Sequence, residues 1–289
     1  MPITKKELDS LRHPTEAGRY RLTVFVLAPV ALLAAAIIIG SFGTVLLIVP
    51  FVLFGLWFSL KLYTAYFINN AVKVTPRSFP EAHAAIVEAK ELFGFKGKVD
   101  AYVVQQGDYN AMLMPLLSRK LLILNSELFK DGNSQAEIRF IVGRFVGGLA
   151  SKQFRFGWLQ AFLNGVEKLV VLNLLLTPYE RSVKLSGDQM GLYMIGGDLP
   201  SAVNAMIKLI LGSDAAGRAN VASFLDQEQS GGHGFFPWLT RAMSHFPHHT
   251  TRVANLVRFA SERYQDQAEA FKRIALAEDK AQSLAVAAE

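Results

Sequence analysis

The sequence predicts a mostly helical α+β protein preceded by a two-helix transmembrane hairpin. Three observations carry that prediction. From residue 22 to residue 60 no ionisable side chain occurs. Beyond residue 80 several stretches place apolar residues at helical spacing. The clearest is residues 137–152, EIRFIVGRFVGGLASK, with Ile138, Ile141, Val142, Phe145, Val146 and Leu149 on one stripe. Only two short runs, residues 99–105 and 121–125, are rich in β-forming residues, so the sheet is small.

Composition sets further bounds. Hydrophobic residues make up 51% of the 289, which is high for a chain without membrane segments. The net charge is +6, and many of the basic residues lie beside the apolar N-terminal region rather than in a nucleic-acid-binding block. The lipid bilayer, and not nucleic acid, is therefore the expected partner. With no cysteine there is no disulfide and no thiolate metal site.

Residues 1–21 read as a basic, cytoplasmic N-terminus containing Lys5, Lys6, Arg12, Arg19 and Arg21. The uncharged stretch that follows would be about 58 Å long as a helix, close to two crossings of a ~30 Å hydrocarbon core. Gly40, Ser41, Phe42 and Gly43 supply a tight turn near its middle. Two spanning helices are expected, at about 22–39 and 44–67, within a hairpin of residues 22–70. Pro29 and Pro50 are tolerated in lipid, and Trp57, Tyr63 and Tyr66 stand where interfacial aromatics belong. Lys61, Lys73 and Arg77 follow the hairpin and its turn carries no cation, so the positive-inside rule puts both ends in the cytoplasm. A cleaved signal peptide is the alternative. The long basic lead and the second apolar stretch argue against it.

Pro76 and Pro80 open the main domain, residues 71–264. A helix is expected over 81–93, stopped by Gly94. After the first β-rich run, Asp108, Tyr109, Asn110, Ala111 and Met112 suggest a turn and an edge strand. Asp131, Gly132, Asn133 and Ser134 form a loop with a helix cap ahead of residues 137–152. Residues 156–176 are strongly apolar, but Glu167 and Lys168 fall in their middle, so a buried or interfacial helix is expected before a third span. Pro178 is expected to end it. Further helices are expected over 180–194, 201–211, 221–227 and 251–264. The polar, alanine-rich residues 265–289 read as a solvated helix or a disordered tail.

Five blocks in order resemble the membrane-anchored zinc peptidases related to HtpX and the CAAX prenyl protease. They are Asn110-Ala111; residues 121–128 (LLILNSEL); residues 137–149; residues 181–192 (RSVKLSGDQMGL); and residues 244–252 (SHFPHHTTR). The resemblance implies a zincin-like domain with a small sheet, a cytoplasmic soluble part, and a bacterial inner membrane location. It also implies where a metal site would stand. The family's active helix carries H-E-x-x-H, two histidine ligands and a glutamate base, with a third, glutamate ligand on a later helix. Here those positions are Arg144, Phe145, Gly148 and Lys184. Arg144 has no lone pair to offer, Phe145 cannot accept a proton, Gly148 has no side chain, and Lys184 could bind metal only if deprotonated. Zinc is expected lost and no catalytic residue is assigned. By the same resemblance Asp188 is the carboxylate that would orient the first histidine, and an Arg144–Asp188 ion pair is expected in its place. Restoring all four residues together is expected to recover zinc binding.

Competing readings attach to several of these residues. Glu180, Lys184 and Asp188, spaced four apart, could form a helix-surface ion ladder. His233, His245, His248 and His249 could be a relocated metal site, or solvent-facing imidazoles in a polar loop. Asn110, Ala111 and Met112 could keep a peptide-binding edge strand, or be an ordinary one. The function expected is a catalytically inactive, metallopeptidase-like membrane protein acting as a scaffold or regulator for a protein partner. The alternatives are an active metalloendopeptidase with a noncanonical site and a structural subunit of a membrane complex.

Overall fold

The structure is a computed structural model. It describes residues 2–41, 43–105, 111–116, 119–130, 133–156, 170–216, 219–231, 234–235, 240, 244 and 246–288. The expected turn residues 108–110, the loop at 131–132, residues 157–169 of the second apolar segment, and His233 and His245 lie outside them.

The fold is mostly helical with one small mixed sheet and two apolar helices near the N-terminus. A short helix α1 (Lys5–Ser10) is capped by Thr4, whose hydroxyl accepts from the Glu7 amide. Helix α2 (Glu16–Gly40) and helix α3 (Thr44–Asn69) follow. Both are long and apolar enough to cross a membrane. Only 6% of the apolar window in α2 and none of that in α3 is buried within the protein. Neither is therefore a core helix. α2 begins at Glu16, earlier than expected, because Glu16 is fully buried against the main domain rather than solvated.

The residues before α2 do not form a free tail. Leu11 is fully buried, the Ile3 amide donates to the Leu92 carbonyl (2.9 Å), and the His13 amide donates to the Ser186 hydroxyl (2.8 Å). The Glu7 carboxylate accepts from the Tyr193 hydroxyl (2.8 Å) and from Arg263 (2.9 Å).

The sheet contains β1 (Val72–Lys73), β2 (Val99–Val104), β3 (Ala111–Leu116) and β4 (Arg119–Asn125), in the order β1-β2-β4-β3. β2 and β4 run parallel, with Val99 opposite Lys120, and β3 is antiparallel to β4 at the edge, with Met112 opposite Ile123. Side chains alternate between the faces with period two. Ala101, Val103, Leu122 and Leu124 join the main core, while Tyr102, Met114, Leu121 and Ile123 pack with Ile68 and Ala71 beyond the outer face. The end of α3 is thus seated on the sheet.

Helix α4 (Pro80–Leu92) and helix α5 (Gln135–Ala150) cover the inner face. α5 starts at Ser134, whose hydroxyl accepts from the Glu137 amide (3.2 Å). The buried Glu137 carboxylate accepts from Lys208 (2.8 Å) and Asn204 (2.8 Å), tying α5 to helix α7 (Leu199–Leu211). The longest packing seam joins α5 to helix α6 (Val170–Met194). Glycines make it close. A Cβ on Gly191 would lie 2.6 Å from the Phe140 carbonyl oxygen, and one on Gly147 would lie 2.8 Å from Met190 Cβ. Small residues one turn apart let two helices approach to backbone contact. Helix α8 (Ser213–Ala216), helix α9 (Val221–Gly231) and helix α10 (His249–Arg263) complete the bundle with the last helix.

One expectation about helix ends is corrected. Pro178 does not end a helix: α6 runs through it, held on both sides by the buried Leu176, Thr177 and Tyr179. An interior proline costs one backbone hydrogen bond, and packing can offset it. Of the two readings of the C-terminal segment, the helix is the one found over its described residues, and it is packed on one face. Helix α11 (Gln265–Ala288) buries Ala268, Phe271 and Ala275, a stripe at helical spacing.

Candidate functional site

Three helices converge on Asp188, which is fully buried on α6. The glycine seam sets the distance: Gly191 has no side chain, so the stem of Arg144 on α5 lies across it, with Cγ 2.7 Å from where a Cβ would stand. Arg144 Nε reaches 2.7 Å from Asp188 Oδ1, and its side chain is only 11% exposed. The contact is ionic, and the Nε–H is not aligned for a hydrogen bond. The aligned partner is Arg252 on α10. Its Nε donates to Oδ2 at 2.8 Å and its terminal nitrogen to Oδ1 at 2.8 Å. The two-pronged grip is thus made by Arg252, and Arg144 adds a second cation beside it.

Burial alone would raise the pKa of Asp188. The charges of Arg252 and Arg144 and their contacts overcome this and hold it below the usual carboxylate value. Arg144 is pushed down to about 10, chiefly by burial, with Asp188 opposing and Arg252 adding to the fall. Two guanidiniums on one carboxylate leave a net positive charge in a low-dielectric place.

Lys184, one turn earlier on α6, does not reach Asp188. Its ammonium sits 3.3 Å from the centre of the Phe246 ring, a cation–π contact. Burial lowers its pKa, Glu180 opposes this, and the two arginines reinforce it. Glu180 is itself buried, with neither carboxylate oxygen hydrogen-bonded, and burial raises its pKa against the pull of Lys184. The spacing of Glu180, Lys184 and Asp188 is therefore not a surface ladder, since Glu180 and Asp188 are buried. Phe145 packs against the main core, and the Arg144 guanidinium lies 5.5 Å from its ring. Gly148 faces Phe154 and Gln153: a Cβ there would lie 2.8 Å from the Phe154 ring and 2.9 Å from Gln153 Oε1.

Ala111 and Met112 lie on β3, which among the described residues pairs only with β4. Ala111 turns to the main core and Met112 to the outer cluster. Asn110 lies outside the described residues. His248 stands just before α10, without a side-chain capping bond, and His249 is the first residue of the helix. The expected solvent-facing role fails for His249, whose pKa falls to about 4, mainly through burial and then through Arg252, and whose Nδ1 is buried without a hydrogen bond.

Among the described residues no group of three or more histidines, aspartates or glutamates could hold a metal ion. The side chains around Asp188 do not fit zinc. Arg144, Arg252 and Phe145 offer no lone pair, Gly148 has no room to gain a ligand without moving Phe154, and Asp188 already bonds a guanidinium with both oxygens.

Comparison of the chain with protein-family models, curated proteins and solved structures finds no match.

A further buried carboxylate escaped the sequence reading. Glu16 accepts from Arg12 Nε (2.9 Å), from Gln153 (2.8 Å) and from the Ser186 hydroxyl (2.5 Å), which sits two residues before Asp188. The signal was present as a lone acid four residues after an arginine, at the foot of an apolar helix. Arg252 was visible as the last residue of a block but nothing in the sequence pointed it at Asp188.

Proposed function

We propose that this chain is a catalytically inactive, metallopeptidase-like membrane protein that serves as a scaffold or regulator for a protein partner. The reading includes a zincin-like domain, a two-span hairpin with both flanks cytoplasmic, and a bacterial inner membrane. The observation that carries it is the paired state of Asp188. At the position where the resemblance would put an orienting carboxylate beside a histidine ligand, two arginines take that carboxylate instead. Loss of the ligand chemistry without loss of the helix pair is what a retained binding role would leave. The edge strand β3, which among the described residues pairs only with β4, supports a peptide-like partner, since strand addition needs backbone groups and no metal. The exposed apolar surfaces of α2 and α3 support membrane anchorage.

The test is metal analysis of the purified full-length chain together with a casein-cleavage assay. No zinc and no cleavage are expected. Stoichiometric zinc bound near residue 144 would overturn the proposal. Cysteine accessibility at Ser41 and Ser78 in intact cells tests the topology: an impermeant reagent should label S41C and not S78C.

A further inference from the structure

At the foot of α2, where the chain passes from the main domain into its apolar run, cations and aromatic rings gather. Tyr20 stacks on Phe156 (5.8 Å between ring centres) and meets Tyr179 at 5.5 Å, and Phe156 meets Tyr179 edge-on at 5.6 Å. The Arg155 guanidinium lies 5.2 Å from the Tyr20 ring centre and is exposed. Arg19 donates to the Pro178 carbonyl (3.4 Å), and Arg181 is close enough to feel its charge. Arg21 is exposed one residue before the uncharged run begins, and Leu22 and Phe25 above it are 53% and 75% exposed. The two acids on these segments do not offset this charge at the surface. Glu16 is fully buried in its bonds to Arg12, Gln153 and Ser186, and Glu180 is buried beside Lys184.

We propose that this arginine collar binds the headgroup phosphate of an anionic phospholipid. Arg21 and Arg155 contact the phosphate, and the Tyr20, Phe156 and Tyr179 rings lie level with the headgroups. Exposed cations attract an anionic headgroup, and aromatic rings partition to the same depth. The Tyr179 hydroxyl already donates to the Gln153 carbonyl (2.9 Å), so this residue contributes its ring and not a donor. Headgroup binding would fix the depth and tilt of the main domain against the bilayer, because the same rings bridge α2 and α6. The inference rests on the membrane part of the proposed function and is independent of whether peptidase chemistry was lost.

The test uses the full chain in nanodiscs of phosphatidylcholine doped with phosphatidylglycerol. Lipids retained on re-extraction in mild detergent are measured by mass spectrometry. Retained lipid is expected to be enriched in phosphatidylglycerol, and Arg21→Gln with Arg155→Gln to reduce that enrichment about fivefold or more. Arg21→Lys with Arg155→Lys keeps the charge and should keep most of the enrichment. Lys272→Gln with Arg273→Gln, on α11, should leave it unchanged. Absence of enrichment, no response to the collar pair, a loss in the lysine pair as large as in the glutamine pair, or an equal loss in the α11 pair would each overturn the inference. Release of the protein from membranes by alkaline carbonate would instead overturn the membrane reading beneath it.

Discussion

Removing Arg252 is expected to cost more than removing Arg144, although Arg144 makes the shorter contact with Asp188. The Arg252→Met variant takes away both aligned hydrogen bonds, at 2.8 Å each, from a carboxylate with no exposure. What remains is Arg144 at 2.7 Å without alignment. Breaking a buried, hydrogen-bonded pair by deleting one partner costs about 3–5 kcal/mol. Arg144→Met leaves that pair whole and removes a like charge from beside Arg252, so its cost is expected near 1–2 kcal/mol, mostly lost packing. Asp188→Leu strands two guanidiniums and should match or exceed Arg252→Met. For a domain of this size 3–5 kcal/mol corresponds to a Tm lower by about 6–20 °C. The assay is thermal unfolding in detergent, followed by circular dichroism, on both single arginine variants, Asp188→Leu, and the double variant Asp188→Leu with Arg252→Met. The double variant should recover only part of the loss, since Arg252 leaves with Asp188 but the buried Arg144 stays behind without its carboxylate. Equal costs for the two arginines would refute the assignment of roles. Changes below about 0.5 kcal/mol throughout would show that the cluster is hydrated.

Gly191→Ala would place a Cβ 2.6 Å from the Phe140 carbonyl oxygen, so α5 and α6 must separate, and a loss of about 1–3 kcal/mol is expected by thermal unfolding. Glu16→Ala removes the acceptor shared by Arg12, Gln153 and Ser186 and should cost about 2–3 kcal/mol, with faster tryptic cleavage at Lys5, Lys6 and Arg12 as the readout. His13 and His249 both have pKa values lowered to about 4, chiefly by burial, so folding favours their neutral forms. Stability should therefore fall as pH drops from about 6.5 toward 4, by on the order of 1–2 kcal/mol for each half-buried ring, and His249→Gln should flatten its share. The depressed pKa of Asp188 keeps its contribution intact throughout that window and loses it only as pH falls below the usual carboxylate value. Restoring the four family residues, with Gly148→His among them, is expected to fail to bind zinc unless Phe154 is also reduced in size, because a Cβ at 148 already meets that ring; equilibrium dialysis against zinc decides it.

Periodicity made much of the fold legible. The apolar stripes of α4, α5, α7 and α10 and the two β-rich runs lie where the pattern put them, to within a few residues at their ends. Three features were not legible because each depends on a distant partner. Pro178 reads as a stop, yet α6 is packed on both sides of it. The basic lead reads as a charged N-terminus with no mark of burial, yet Leu11 joins the main core and Glu16 is bonded by Gln153 and Ser186, more than 100 positions away. The buried stripe of α11 consists of two alanines and one large residue, Phe271, and its polar, alanine-rich setting did not mark it as a core face. At the site, Arg144 and Asp188 could be paired through the resemblance. The stronger partner, Arg252, could not, since periodicity says which face a residue occupies and not which of two guanidiniums arrives in line.

The seam and the charge cluster depend on one another. Gly143, Gly147, Gly187 and Gly191 bring α5 and α6 to backbone contact, and only at that distance can Arg144 lie across Gly191 and reach a carboxylate on the facing helix. Such contact buries Asp188 completely, and a buried carboxylate is costly without a cation. Arg252 supplies one such cation from the third helix, in line with both carboxylate oxygens, and Arg144 adds a second from α5. Lys184, a third cation nearby, lies instead against Phe246. The glycines of the seam set the spacing of α5 and α6 at which these charges meet.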